Sequence, residues 1–168
     1  DSCDLIRSQF ALLQDFEAGV ALDYMAEISE QLLPPAEPNE RHYRLLVAVL
    51  DHIRAGAQAP LNAEMNREAA GPVPTSSPAG EGNVWRAVTY FTLWAVRLAG
   101  FLPQPEDLRG VSEESRRIAA EMLRRPVAEV APAAWTRRTA SDLRRFLVRQ
   151  IESHIERKLL AAKALEAA

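Results

Sequence analysis

Three histidines and one cysteine are the first residues to weigh for chemistry in this 168-residue chain, and their placement argues against most of it. His42, His52 and His154 form no HxxxH or HExxH spacing with another ligand type, so no helix face offers a metal two ligands. Cys3 stands alone, and one thiolate neither closes a tetrahedral zinc shell nor builds a disulfide framework. No GxSxG elbow presents a serine nucleophile, and the glycine-bearing loop lacks the Lys-Ser/Thr end of a phosphate loop. His154, beside an apolar stripe, reads as a half-buried packing residue, and Asp142, Arg145 and Arg149 as cap and ion-pair residues. The expectation is a non-enzyme without metal or cofactor.

Charge is the second chemical signal. The net charge of -3 hides an asymmetry, because residues 1–83 hold 5 Lys and Arg against 13 Asp and Glu, and residues 84–168 hold 15 against 10. The basic half favours polyanions or acidic peptides. Arg137, Arg138, Arg144, Arg145, Arg149, Arg157, Lys158 and Lys163 make a strip with little aromatic interleaving, suited to salt-sensitive contact with nucleic-acid phosphates and to little base reading. A solvated arginine-rich helix surface would have the same composition.

The elements that must carry these residues are helical. No run of four or more residues alternates apolar and polar between turn signals, so no strand is expected and the fold class is all-α. The spacing predicts a bundle of about five to six helices around a central apolar helix over 84–100 that holds Trp85, Tyr90, Phe91, Leu93 and Trp94. Asn83 is expected to cap that helix, and Gly100 to stop it. A first helix is predicted over Ser8 to Leu33, with Phe10, Leu13, Phe16 or Glu17, Val20, Tyr24, Ile28 and Leu32 on one face, ended by Pro34 and Pro35. A second runs from Glu40 to about Ala55, capped by Asn39 and closed by Gly56, with Tyr43, Leu46, Val47, Leu50 and Ile53 facing inward.

Residues 57–82, rich in proline and glycine, are expected to form a flexible loop inside a single domain spanning 1–168, with at most a helical turn at Asn62 to Ala70. Ser112 should cap a helix to about Leu123, buried through Ile118, Met122 and Leu123, and Trp135 should anchor the bend after Pro126. The last helix is expected from Thr139 or Ser141 towards the terminus, with Leu143, Leu147, Ile151, Ile155 and Leu159 stepping along its buried side. Apolar runs fall far short of a bilayer span and no signal-peptide pattern opens the chain, which suggests a soluble, cytoplasmic protein without membrane contact.

Several segments, in order and spacing, resemble the C-terminal helical domain of the RecO family of bacterial DNA repair and recombination mediators. They are YMAEISEQLLPPAEPNERHYRLLVAVLDHI, YFTLWAVRLAGFLP, GVSEESRRIAAEMLRRPVAEV and LRRFLVRQIESHIERKLL, which together cover most of the chain outside 57–82. Family members begin with an oligonucleotide-binding barrel, and many insert a four-cysteine zinc module after the LG-aromatic-Pro segment. Neither pattern is found here, so the resemblance implies a fragment or a reduced relative.

What the family resemblance implies is assistance to strand annealing and to recombinase loading, with RecR, the single-strand-binding protein and single- and double-stranded DNA, contacted weakly through phosphates, as partners. It further implies that an apolar groove by the central helix accepts the acidic, phenylalanine-ended tail of the single-strand-binding protein. Leu93 matches a pocket position, and Arg86 and Arg97 are the nearest cations. Two other classes fit the residues alone. One is an all-α ligand-binding or dimerisation domain of a transcription-regulator type, with a cavity walled by Trp85, Tyr90 and Trp94. The other is a helical enzyme assembled from distant histidines and carboxylates.

Overall fold

The structure, a computed structural model, describes residues 12, 15–67, 81–104, 107–132 and 134–167. Among the described residues there are six α-helices and no strand: α1 Phe16–Leu32, α2 Glu40–Arg67, α3 Glu81–Leu98, α4 Glu113–Met122, α5 Ser141–Ile155 and α6 Leu160–Ala167, with a 3-10 turn at Val127–Glu129. The all-α class is as the sequence predicts. α3 is the hub, packing against α1, α2 and α5, while α6 folds back on α1 and α4 rests on α5. Val84, Trp85, Ala87, Val88, Phe91, Leu93, Ala95 and Val96 of α3 are all buried, as a helix apolar on most sides must be.

Helix ends follow local chemistry. Asp15 accepts from the amides of Glu17 and Ala18 at 2.9 and 3.3 Å, so α1 starts at Phe16 rather than Ser8. Phe10 and Leu13 of the expected face lie outside the described residues, and Phe16, placed on that face by periodicity, is 72% exposed. Asn39 caps α2 through the amide of His42 at 3.0 Å, and Ser112 caps α4 through that of Ser115 at 3.3 Å, both as expected. Gly100, at φ +87°, ends α3: its amide bonds to Arg97 O and that of Phe101 to Val96 O, the paired closure that a left-handed glycine permits.

Two further boundaries and one buried face differ from expectation. α2 does not close at Gly56 but continues to Arg67, so the expected loop gives up residues 57–67 to helix, and 68–80 lie outside the described residues. Gly56 marks a close approach instead: a Cβ there would lie 2.2 Å from Asn83 Nδ2. Asn83 is correspondingly not the cap of α3 but a residue within its first turn, set against α2. The buried face of α2 is also rotated from the one expected, running through His42, Leu45, Val49 and Ile53, with Tyr43 58% exposed.

The last helix is broken. Glu156 takes a left-handed conformation at φ 55°, α5 ends at Ile155, and α6 starts at Leu160. Two carboxylates hold the break. Glu27 of α1 accepts from the amides of Leu160 and Ala161 at 2.8 and 2.7 Å, capping α6 from another helix, and Glu152 accepts from Leu159 N at 3.1 Å and Lys158 Nζ at 2.6 Å. Leu143, Leu147 and Ile151 are fully buried as predicted, while Leu159 is buried from the connection between the helices.

Candidate functional site

Two places on the surface gather the residues singled out by sequence. The first is a groove of about 490 Å³ where the end of α3 meets α4. Leu93 and Ala119 form apolar wall, Leu102, Pro103 and Leu108 come from the segment after α3, and Arg97 and Arg124 stand exposed on it. Arg97 lies over the Trp94 ring at 5.1 Å, and Trp94 is itself pinned by its Nε1–H to Met122 O at 3.0 Å. Leu93 is 1% exposed, so it contributes floor and little open surface.

Arg86 is not part of this groove. It is buried near the 3-10 turn, donating to Pro132 O at 2.9 Å and Ala128 O at 3.5 Å, with its guanidinium 5.9 Å from the Trp135 ring. Its neighbour His52 is pushed down to about 4 by burial and by the Arg86 charge, and is neutral at physiological pH. Arg124, which takes the place expected of Arg86, had a readable signal: it is the first cation past the end of α4, just ahead of the break at Pro126.

The second place is the surface of α5, α6 and the turn before them. Arg137, Arg138 and Arg145 line a shallow hollow of about 630 Å³ with Thr136, Ser141 and Glu166. Arg145 Nε lies 3.7 Å from Glu166. Arg149 lies further along α5, and Arg157, Lys158 and Lys163 stand exposed beyond it, Arg157 bonded to Gln31 and Lys158 to Glu152. Arg144 leaves the strip altogether. It is 2% exposed, its guanidinium sits 5.0 Å from the Trp85 ring, and it donates to Thr89 Oγ1 at 3.0 Å, to Thr139 O at 2.6 Å and to Arg137 O. Desolvation lowers it to about 10, so it still carries its charge at neutral pH. Its position was legible, because Arg144, Leu147 and Ile151 share one helical face.

Arg144 therefore builds the surface that its neighbours display. By gripping the carbonyls of Arg137 and Thr139 it fixes the turn that also closes on itself, with Thr139 Oγ1 accepting from Thr136 N at 3.1 Å and Thr136 Oγ1 from Arg138 N at 3.3 Å. Asp142 secures the other side of the α5 start, accepting from Ser112 N at 2.7 Å and from the Ser115 hydroxyl. Burial opposes its ionisation, but bonds from Ser115, Ser112 and Leu143 outweigh it and hold the carboxyl down to about 2.

The histidines are spent on packing. His42 is buried on Ser29 Oγ at 2.9 Å and edge-on to Phe91, and desolvation lowers its pKa. His154, expected to be half-buried, is exposed but stacked on Phe101 at 4.2 Å. Among the described residues no three His, Cys, Asp or Glu are grouped to hold a metal ion, and no helix is long and apolar enough to cross a membrane.

The arrangement is that of an all-α domain whose polar groups shape surfaces. Over residues 13–66 the chain matches the family described as recombination protein O C terminal. Over 99% of its length it is 34% identical to the DNA repair protein RecO of Koribacter versatilis (strain Ellin345), of which it covers 70%. No solved structure matches it. The chain belongs to the RecO family, and with that family to the non-enzymatic mediators of DNA repair and recombination.

Proposed function

We propose that this chain is the docking part of a recombination mediator: the groove between α3 and α4 takes the acidic, phenylalanine-ended tail of the single-strand-binding protein, and the exposed cations of α5 and α6 contact DNA through phosphates. In this reading RecR is the second protein partner, and the combined contacts assist strand annealing and recombinase loading. The supporting observation is the convergence of Leu93, Arg97 and Arg124 on one groove. An apolar floor receives an aromatic ring, and two exposed guanidiniums at its edge suit a terminal carboxylate and the aspartates before it.

The regulator-type alternative asks for a cavity walled by three aromatic rings. Trp85 is buried against Arg144, whereas Tyr90 and Trp94 pack on each other at 6.2 Å, so these rings serve different contacts. The test is fluorescence anisotropy of a labelled acidic tail peptide ending in Pro-Phe. The unaltered protein is expected to bind with micromolar affinity, and an Arg97→Glu, Arg124→Glu double variant to lose at least about tenfold through repulsion of the acidic tail. Equal binding by both proteins, with the fold intact by circular dichroism, would remove the groove from the proposal.

A further inference from the structure

Between α1, α5 and α6 lies a cavity of about 200 Å³ that the groove and the phosphate strip leave without a use. Its apolar lining comes from Tyr24, Val148, Ala162 and Leu165, and its polar groups are Arg144, Arg145, Arg149 and Glu166. Arg144, almost wholly buried, has an Nε–H with no hydrogen-bond partner, which is costly in a low-dielectric setting. Arg145 and Glu166 line this cavity and also the hollow of Arg137 and Arg138, so the two concavities adjoin.

We infer that the cavity is a base subsite for an unpaired nucleotide, one base entering between Tyr24, Val148 and Leu165 while its flanking phosphates lie on Arg145, Arg149 and the Arg137–Arg138 hollow. This rests on the phosphate contact proposed above and adds a preference for single strands. Size fits: a cavity of about 150 Å³ accommodates a benzene ring, so this one has room for a nucleobase. A base in a duplex is stacked and paired and does not enter, whereas a single strand can turn one out. The lining supplies an acceptor for a base edge at the Glu166 carboxylate. Three arginines against one glutamate leave the cavity cationic, as the neighbouring phosphates require.

The test compares two labelled single strands of about 12 nucleotides, oligothymidylate and the same backbone with abasic sites throughout, by anisotropy with the unaltered chain at low salt. A base subsite predicts that the oligothymidylate binds about tenfold tighter, since base burial adds to phosphate contact. Ala162→Leu, which fills the cavity from α6, should bring oligothymidylate down to the abasic level and leave the abasic strand unchanged. Equal affinity of the unaltered chain for both strands overturns the subsite while sparing the phosphate contact. Failure to bind either strand overturns both.

Discussion

Two arginines lie over two tryptophans of the same helix at nearly the same distance, and they do opposite work. At the groove end Arg97 is exposed over Trp94 at 5.1 Å; at the other end Arg144 is buried over Trp85 at 5.0 Å. Around Arg97 the scaffold is apolar packing and a glycine closure, and the cation stands in water, available to an incoming carboxylate. Around Arg144 the cation is itself the scaffold, bonded to a hydroxyl and two carbonyls, and the cations available to a partner are Arg137 and Arg138 on the turn it holds. The contrast teaches that an arginine count does not measure a binding surface: burial decides which arginines a partner can reach and which ones build the fold.

The contrast is most exposed to failure at Arg144. Replacing it by Ala leaves the Thr89 hydroxyl and the Arg137 and Thr139 carbonyls without their donor, and the loss of several bonds to a charged group is expected to cost about 3 kcal/mol or more. Urea unfolding measures this, and a cost below about 1 kcal/mol would mean that the buried cation is no scaffold. Asp142→Asn comes next, at about 2 kcal/mol, because a carboxylate accepting several bonds is replaced by a neutral amide. The pH dependence has a definite sign. Folding lowers the Asp142 carboxyl from 3.8 to about 2, so its contribution is complete above about pH 4 and drains away as pH falls towards 2. The stability gap between the unaltered chain and Asp142→Asn should therefore be level from neutral pH to about 5 and close below 4.

How much of this was readable in the residues follows the same division. The hub helix, the stop at Gly100 and the caps at Asn39 and Ser112 rest on local rules, apolar period and cap chemistry, and these hold where expected. What escaped depends on partners distant in sequence. Gly56 reads locally as a stop, yet its lack of a Cβ serves Asn83 on α3. The break at Glu156 carries no glycine or proline, and what stabilises the new helix start is Glu27, 133 residues before Leu160. His42 is polar and is not among the apolar positions that the period of α2 picks out, but Ser29 satisfies its ring and Phe91 covers it. At the groove, Leu93 and Arg97 come together because both lie towards the end of one helix, whereas Arg124 arrives from α4 and Arg86 turns towards the carbonyls after the 3-10 turn.

Glu27 sharpens the comparison from the α6 side. Glu27→Ala removes the carboxylate from the amides of Leu160 and Ala161, and the loss of a cap is expected to cost about 1 kcal/mol. Hydrogen exchange should show the loss as faster exchange of amides in the first turn of α6, with α3 and α4 unchanged. Because α6 walls one side of the cavity, a uniform loss of protection would instead mean that the two ends are a single cooperative unit.

Arg97→Ala should have the smallest effect on the fold. Its contact with Trp94 is at the surface, where a cation over an indole is worth about 0.5 kcal/mol, and Trp94 keeps its bond to Met122 O without it. Thermal unfolding should therefore shift only by a degree or two for that small a change. A large shift would show that Arg97 holds the end of α3 together much as Arg144 holds the turn before α5. A small shift accompanied by loss of tail-peptide binding would separate the two arginines as burial separates them, one serving a partner and the other the fold.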